Sequence, residues 1–221
     1  LQMDITLLGI NEQLNPAQID DHHPLDDVFE KAVSLFKEKG VAYSLEVQNG
    51  DAEEIIPRKA KEADFITVIS PLGRARIRHW LTGRSIRQLM ADIAGPILYV
   101  PAARIPMKKI LICIGGLGYE VTAEHIAMQM AKNCNAEITL LYVIPPVDMD
   151  YPTAREVSRN WQHIAETNTP PGRSLREAKQ VADEMGIAAG IKARNGNILE
   201  ELLDEINLGN YDLLCMGSPY S

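Results

Sequence analysis

Met3-Asp4-Ile5-Thr6-Leu7-Leu8 recurs as Ala136-Glu137-Ile138-Thr139-Leu140-Leu141, and each is a short apolar run of the kind that forms a strand. The echo continues in the same order. Asn49-Gly50-Asp51 ahead of Glu53-Glu54-Ile55-Ile56 is answered by Asn195-Gly196-Asn197 ahead of Glu200-Glu201-Leu202-Leu203. Ala63-Asp64-Phe65-Ile66-Thr67-Val68-Ile69-Ser70-Pro71 is answered by Tyr211-Asp212-Leu213-Leu214-Cys215-Met216-Gly217-Ser218-Pro219. Three matches in one order mark an internal repeat. The spacing between matches grows along the chain, so the second copy carries an insertion, which falls on the Pro-rich stretch from Pro145 to Pro171 and reads as a loop.

Around these anchors each copy alternates strand and helix. The first predicts strands at Met3–Ile10, Ala42–Val47, Phe65–Ile69 and Ile97–Val100, with helices at Leu25–Lys39, Ala52–Glu62 and Ile86–Ile93. Gly40 stands where a helix C-terminus favours glycine, and Asp51 and Asn197 stand where a short polar side chain can accept from a free helix-start amide. The second copy predicts strands at Lys109–Ile114, Ile138–Val143, Ala188–Ala193 and Leu213–Met216, with helices at Thr122–Lys132, Leu175–Met185 and Ile198–Leu208. The strands are unbroken apolar runs, not alternating ones, as expected where helices cover both faces of a parallel sheet. The fold class is therefore α/β, two doubly wound parallel-sheet (Rossmann-like) domains.

Composition narrows the function. The 221 residues carry 30 acidic and 22 basic side chains, a net charge of -8, which disfavours nucleic acid and anionic membrane surfaces as partners. Cys113, Cys134 and Cys215 are odd in number and lack metal-ligand spacing, and two sit in apolar runs, which together with the lack of a signal-like or membrane-length apolar segment points to a reducing, cytoplasmic setting.

The run from Lys108 to Gly116 (KKILICIGG), the helix Glu124–Lys132, AEITLLYVIPP from Ala136, the Asn195-Gly196 turn and YDLLCMGS from Tyr211 resemble the universal stress protein domain. The first copy resembles the later two-thirds of the same domain through Asn49–Ser70, the loop Pro71–Leu89 and the closing strand Gly95–Pro101. The resemblance implies a tandem form with domains at 1–104 and 105–221, the first lacking its first strand and helix and the second its last helix and strand. It also implies a stress-response role without catalysis. Pairing between the copies and a homodimer are expected as well, because family members join such sheet edges.

Nucleotide-binding members of the family wrap phosphates in a loop of glycine, two residues, glycine, nine residues, glycine and serine or threonine. Here Gly73 and Gly83 keep the nine-residue spacing, Ser70 takes the first glycine's place, Arg84 takes the place of the serine or threonine, and Ser85 follows one position later. Glycines let backbone amides turn toward an anion, and Arg74, Arg76, Arg78, Arg84 and Arg87 would hold phosphate oxygens in pairs. The implied ligand is ATP or AMP, with Mg, at Ser70, Gly73, Arg74, Gly83, Arg84 and Ser85. The alternative for these arginines is a solvated face or pairing with neighbouring acids. Family members that bind ATP hold adenine with an aspartate at the end of the first strand, where the second copy has Gly115. The turn Gly115-Gly116-Leu117-Gly118 reads as a tight strand-to-helix turn ahead of a phosphate cradle.

Other residues read as structural. Asp20-Asp21-His22-His23 with Asp26-Asp27 has metal-ligand types, but adjacent histidines rarely reach one ion, so it reads as a solvated, helix-capping loop. Trp80 and Leu81 read as anchors of the arginine loop, and the isolated His79, His125 and His163 form no legible triad. Rival readings are a dimerising module that binds no nucleotide, a slow ATP hydrolase or nucleotidyl-transfer enzyme, and the soluble regulatory part of a transporter.

Overall fold

The computed structural model describes residues 4–11, 24–62, 66–70, 86–116, 118, 120–146 and 152–217. The chain divides into two compact units between Tyr99 and Val100.

In the first unit, β1 (Ile5–Asn11) pairs in parallel with β2 (Tyr43–Asn49) from Ile5 opposite Tyr43 to Asn11 opposite Asn49. Helix α1 (Pro24–Lys39) carries Asp26 and Asp27 in its first turn and Lys37 and Lys39 in its last, each sign matched to the helix dipole. It ends at Gly40, whose φ of +64° is the left-handed conformation expected there. Helix α2 (Ala52–Ala60) starts on Asp51, whose side chain accepts from the Glu53 amide at 2.8 Å. β3 (Thr67–Ile69) and β4 (Ile97–Tyr99) form a second parallel pair around α3 (Ile86–Asp92), with Ala60, Leu89 and Ile93 as a small core. One continuous sheet is expected for this copy; the described residues instead form two separate two-stranded pairs. No described strand bridges β1 to β3.

The second unit is a four-stranded parallel sheet of β5 (Lys109–Cys113), β6 (Glu137–Ile144), β7 (Ala189–Asn195) and β8 (Leu213–Met216), ordered β7-β6-β5-β8. β5 is central, and Ile110, Leu111 and Ile112 are fully buried, which is why its apolar run does not alternate. Asp212 pins β8 beside β5, accepting from the amides of Lys108 at 2.8 Å and Lys109 at 3.1 Å. Helices α4 (Val121–Cys134), α5 (Pro152–Arg159), α6 (Pro170–Glu184) and α7 (Ile198–Gly209) join the strands.

The stretch from Pro145 to Pro171 is not simply a loop. It contains α5 and a 3-10 turn at Trp161–Glu166, and α6 starts five residues ahead of the expected Leu175. The prolines mislead because Pro170 and Pro171 occupy the first helical positions, where no intrahelical N–H is needed. The Thr169 hydroxyl accepts from the Gly172 amide at 3.3 Å to cap the start, and Val157 and Ile164 pack into the sheet core.

Candidate functional site

The order β7-β6-β5-β8 means that the chain winds away from β5 toward β6 and β7 and then returns to its other side at β8. Ligands of such sheets gather outside the carboxyl ends of the strands where the winding reverses, here between β5 and β8. Gly115 and Gly116 follow β5 at that place, and Glu120 and Glu124 open α4 above it.

Glu120 is 4% exposed, and its Oε1 accepts from the Gly115 amide at 3.0 Å and the Gly116 amide at 2.8 Å. Gly116 has a φ of +75°, which turns consecutive amides to one side, and an added Cβ would stand 3.0 Å from Pro171 Cα. The anion on this amide pair is the chain's own carboxylate. Glu120 also fixes the helix start, its carbonyl accepting from the Glu124 amide at 2.8 Å.

Burial pushes the Glu124 carboxyl up to about 7, and the charges of Glu120 and Glu177 add to the effect. Burial likewise raises Cys113 to about 11, and raises Cys215 to about 12 with added contributions from Cys113 and Glu124. Cys215 Sγ donates to the Ala123 carbonyl at 3.1 Å. Both thiols stay protonated near neutrality and are poor nucleophiles.

Glu205, a residue of α7, is fully buried. Its carboxylate receives Lys192 at 2.7 Å, Arg194 at 3.0 Å and the Tyr211 hydroxyl at 2.7 Å. Burial pushes Glu205 up, but the bonds from Lys192, Tyr211 and Arg194 outweigh it and hold it below the usual carboxylate range. This network ties α7 to β7.

Of the residues expected at a phosphate loop, Ser70 lies exposed just after β3, and Arg87 is exposed on α3. Gly73, Arg74, Gly83, Arg84 and Ser85 lie outside the described residues, as do Arg76, Arg78, Trp80, Leu81, His79, His22 and His23. Among the described residues no group of three or more His, Cys, Asp or Glu is placed to hold a metal ion. Sequence reasoning passed over Glu120. Its only signal was an acid at a helix start shortly after a glycine pair, which is ordinarily a dipole partner, not a turn filler.

Residues 106–219, just over half the chain, match the Universal stress protein family. The chain belongs to the universal stress protein family. A curated universal stress protein of Methanocaldococcus jannaschii, MJ0531, is 27% identical over 112 residues, covering 50% of this chain and 64% of that protein. The match thus spans a little under two thirds of that relative's length. A universal stress protein structure from Archaeoglobus fulgidus aligns over 99% of this chain and 76% of its own, with a TM-score of 0.60 at 18% identity. A functionally unknown protein of Pseudomonas aeruginosa, PA1789, aligns over 99% and 82%, with a TM-score of 0.56 at 14% identity. At these identities the structural likeness establishes the fold, an α/β architecture of parallel sheets.

Proposed function

We propose that this universal stress protein is a cytoplasmic, non-enzymatic regulatory module of the stress response. Its first unit takes ATP or AMP, with Mg, at Ser70, Gly73, Arg74, Gly83, Arg84 and Ser85, and its second unit serves the partner-facing role. The observation that carries this reading is Glu120. With its carboxylate seated on the Gly115 and Gly116 amides, the switch-point turn of the second unit already holds an anion, and a phosphate there would meet a buried negative charge. The glycine- and arginine-rich sequence after Ser70 carries phosphate-binding chemistry that this turn does not offer.

Titration calorimetry with ATP and AMP, with and without magnesium, tests the reading on the wild-type protein and on a Gly73→Val, Arg84→Ala variant. A Kd on the order of micromolar in the wild type, lost in the variant, is expected. No heat with either nucleotide from a folded protein overturns it.

A second reading is a dimerising interaction module that binds no nucleotide. The exposed Leu199 and Leu203 on α7, with the exposed Leu214 and Met216 on β8, favour it. Sedimentation of wild type against Leu203→Glu tests this surface, the variant being expected to dissociate, and the nucleotide titration above separates the two readings.

A further inference from the structure

Helix α4 opens with two acids on one face. The Glu124 amide donates to the Glu120 carbonyl at 2.8 Å, so the two carboxyls stand one helical turn apart, the spacing at which side chains meet and like charges repel. Their circumstances differ. Glu120 is buried and rests on the Gly115 and Gly116 amides, whereas among the described residues the half-buried Glu124 carboxyl has no hydrogen-bond or ion-pair partner.

The surroundings of Glu124 offer it no counter-charge. It faces Glu120 from its own helix, Glu177 from α6 and the Cys215 thiol from β8, whose Sγ donates to the Ala123 carbonyl at 3.1 Å. Cys113, on β5 near Cys215, is a second protonated thiol, and β6 adds no titratable group to those acting on Glu124. The cations of α6 are engaged elsewhere, Arg173 with Asn168, Arg176 with the Ala165 and Thr167 carbonyls and Lys179 with Asp183. Two neighbouring carboxyls with donors for only one of them hold a proton on the other, and burial and the neighbouring charges keep it on Glu124 up to about 7.

We propose that Glu120 and Glu124 form a proton-operated latch on the turn between β5 and α4. With Glu124 protonated, the Glu120 carboxylate stays on the Gly115 and Gly116 amides. With Glu124 ionised, repulsion along the helix face weakens that hold and frees the amides more often. The coupling is reciprocal, so a seated Glu120 carboxylate also favours the proton on Glu124. Two further elements meet at the latch. Gly116 lies against the start of α6, where an added Cβ would stand 3.0 Å from Pro171 Cα, and the Cys215 bond ties β8 to the turn of α4 that carries Glu124. The latch stands whether or not the first unit binds a nucleotide.

Hydrogen exchange of the Gly115 and Gly116 amides, followed by NMR at about pH 5.5 and about pH 8, tests it on the wild-type chain and on Glu124→Gln, which keeps the side chain's shape without its charge. Comparing the two proteins at one pH cancels the intrinsic effect of pH on exchange. At the higher pH the wild type is expected to exchange about tenfold faster than the variant, and at the lower pH the two are expected to agree. Equal protection of β6 reports that both are folded. Equal exchange at the higher pH, or the same difference at both, overturns the latch. In a Glu120→Ala background, where the amides have lost their carboxylate, Glu124→Gln is expected to change nothing. A tenfold difference persisting there overturns the part given to Glu120.

Discussion

Glu120 Oε1 lies 2.8 Å from the Gly116 amide nitrogen, so the turn that would face a ligand is closed by the side chain at the start of the next helix. A buried carboxylate held by two amides is a structural joint as well as a plug. Replacing it by Glu120→Ala leaves the Gly115 and Gly116 amides unpaired, with an expected loss of about 1–3 kcal/mol. Denaturant melts of the variant measure it, and unchanged stability would mean that water satisfies the turn equally well.

Glu124 supplies a pH dependence of definite sign. Its folded value of about 7 lies above the ordinary 4.5 of a glutamate, so the unfolded chain ionises first. Its contribution is fully present below about 4.5 and is lost as pH rises toward about 7. Denaturant melts of wild type and Glu124→Gln between pH 4.5 and 8 should differ in slope, the variant losing the decline. Parallel profiles would refute the assignment to Glu124.

Glu205 acts in the opposite sense. Held below its usual range by Lys192, Tyr211 and Arg194, it adds stability that is present above about 4.5 and lost as pH falls further. Glu205→Ala removes the shared partner of two cations and a hydroxyl, with an expected cost of about 1–3 kcal/mol. The same variant should flatten the acid limb of the pH profile.

Thiol chemistry should be selective. Cys134 is exposed, whereas Cys113 and Cys215 are partly buried and raised to about 11 and about 12. Iodoacetamide at pH 8 is expected to label Cys134 alone in the folded protein, as read by peptide mass spectrometry. Rapid labelling of Cys215 would show that the carboxyl end of β8 opens readily.

Gly172 tests packing against propensity. Alanine in a helix ordinarily gains up to about 1 kcal/mol over glycine, but here a Cβ would stand 2.5 Å from the Ile164 carbonyl and 2.7 Å from that of Thr167. Gly172→Ala is therefore expected to destabilise by about 1–3 kcal/mol. A gain would mean that the 3-10 turn yields easily.

Much of the fold was legible in the residues themselves. Apolar runs such as Ile110–Ile112 announce buried strands, and Asp51, Asn197 and Gly40 announce helix ends, because each is a local requirement of the backbone. The helices within Pro145–Pro171 were not legible, since proline at a helix start and proline in a loop look alike until Thr169 and the buried Ile164 are seen. Of the residues expected at the phosphate loop, Ser70 and Arg87 fall within the described residues and the others do not.

Local pattern and internal repetition thus determined the strands, the helices and their order, since propensity, capping and apolar period act over a few residues. Tertiary structure decided what fills the switch point and which apolar positions are buried. Glu120 reaches back to the Gly115–Gly116 turn, and Ile5 stays exposed where Ile138 is sealed, because both outcomes depend on neighbours that the chain brings together only when it folds.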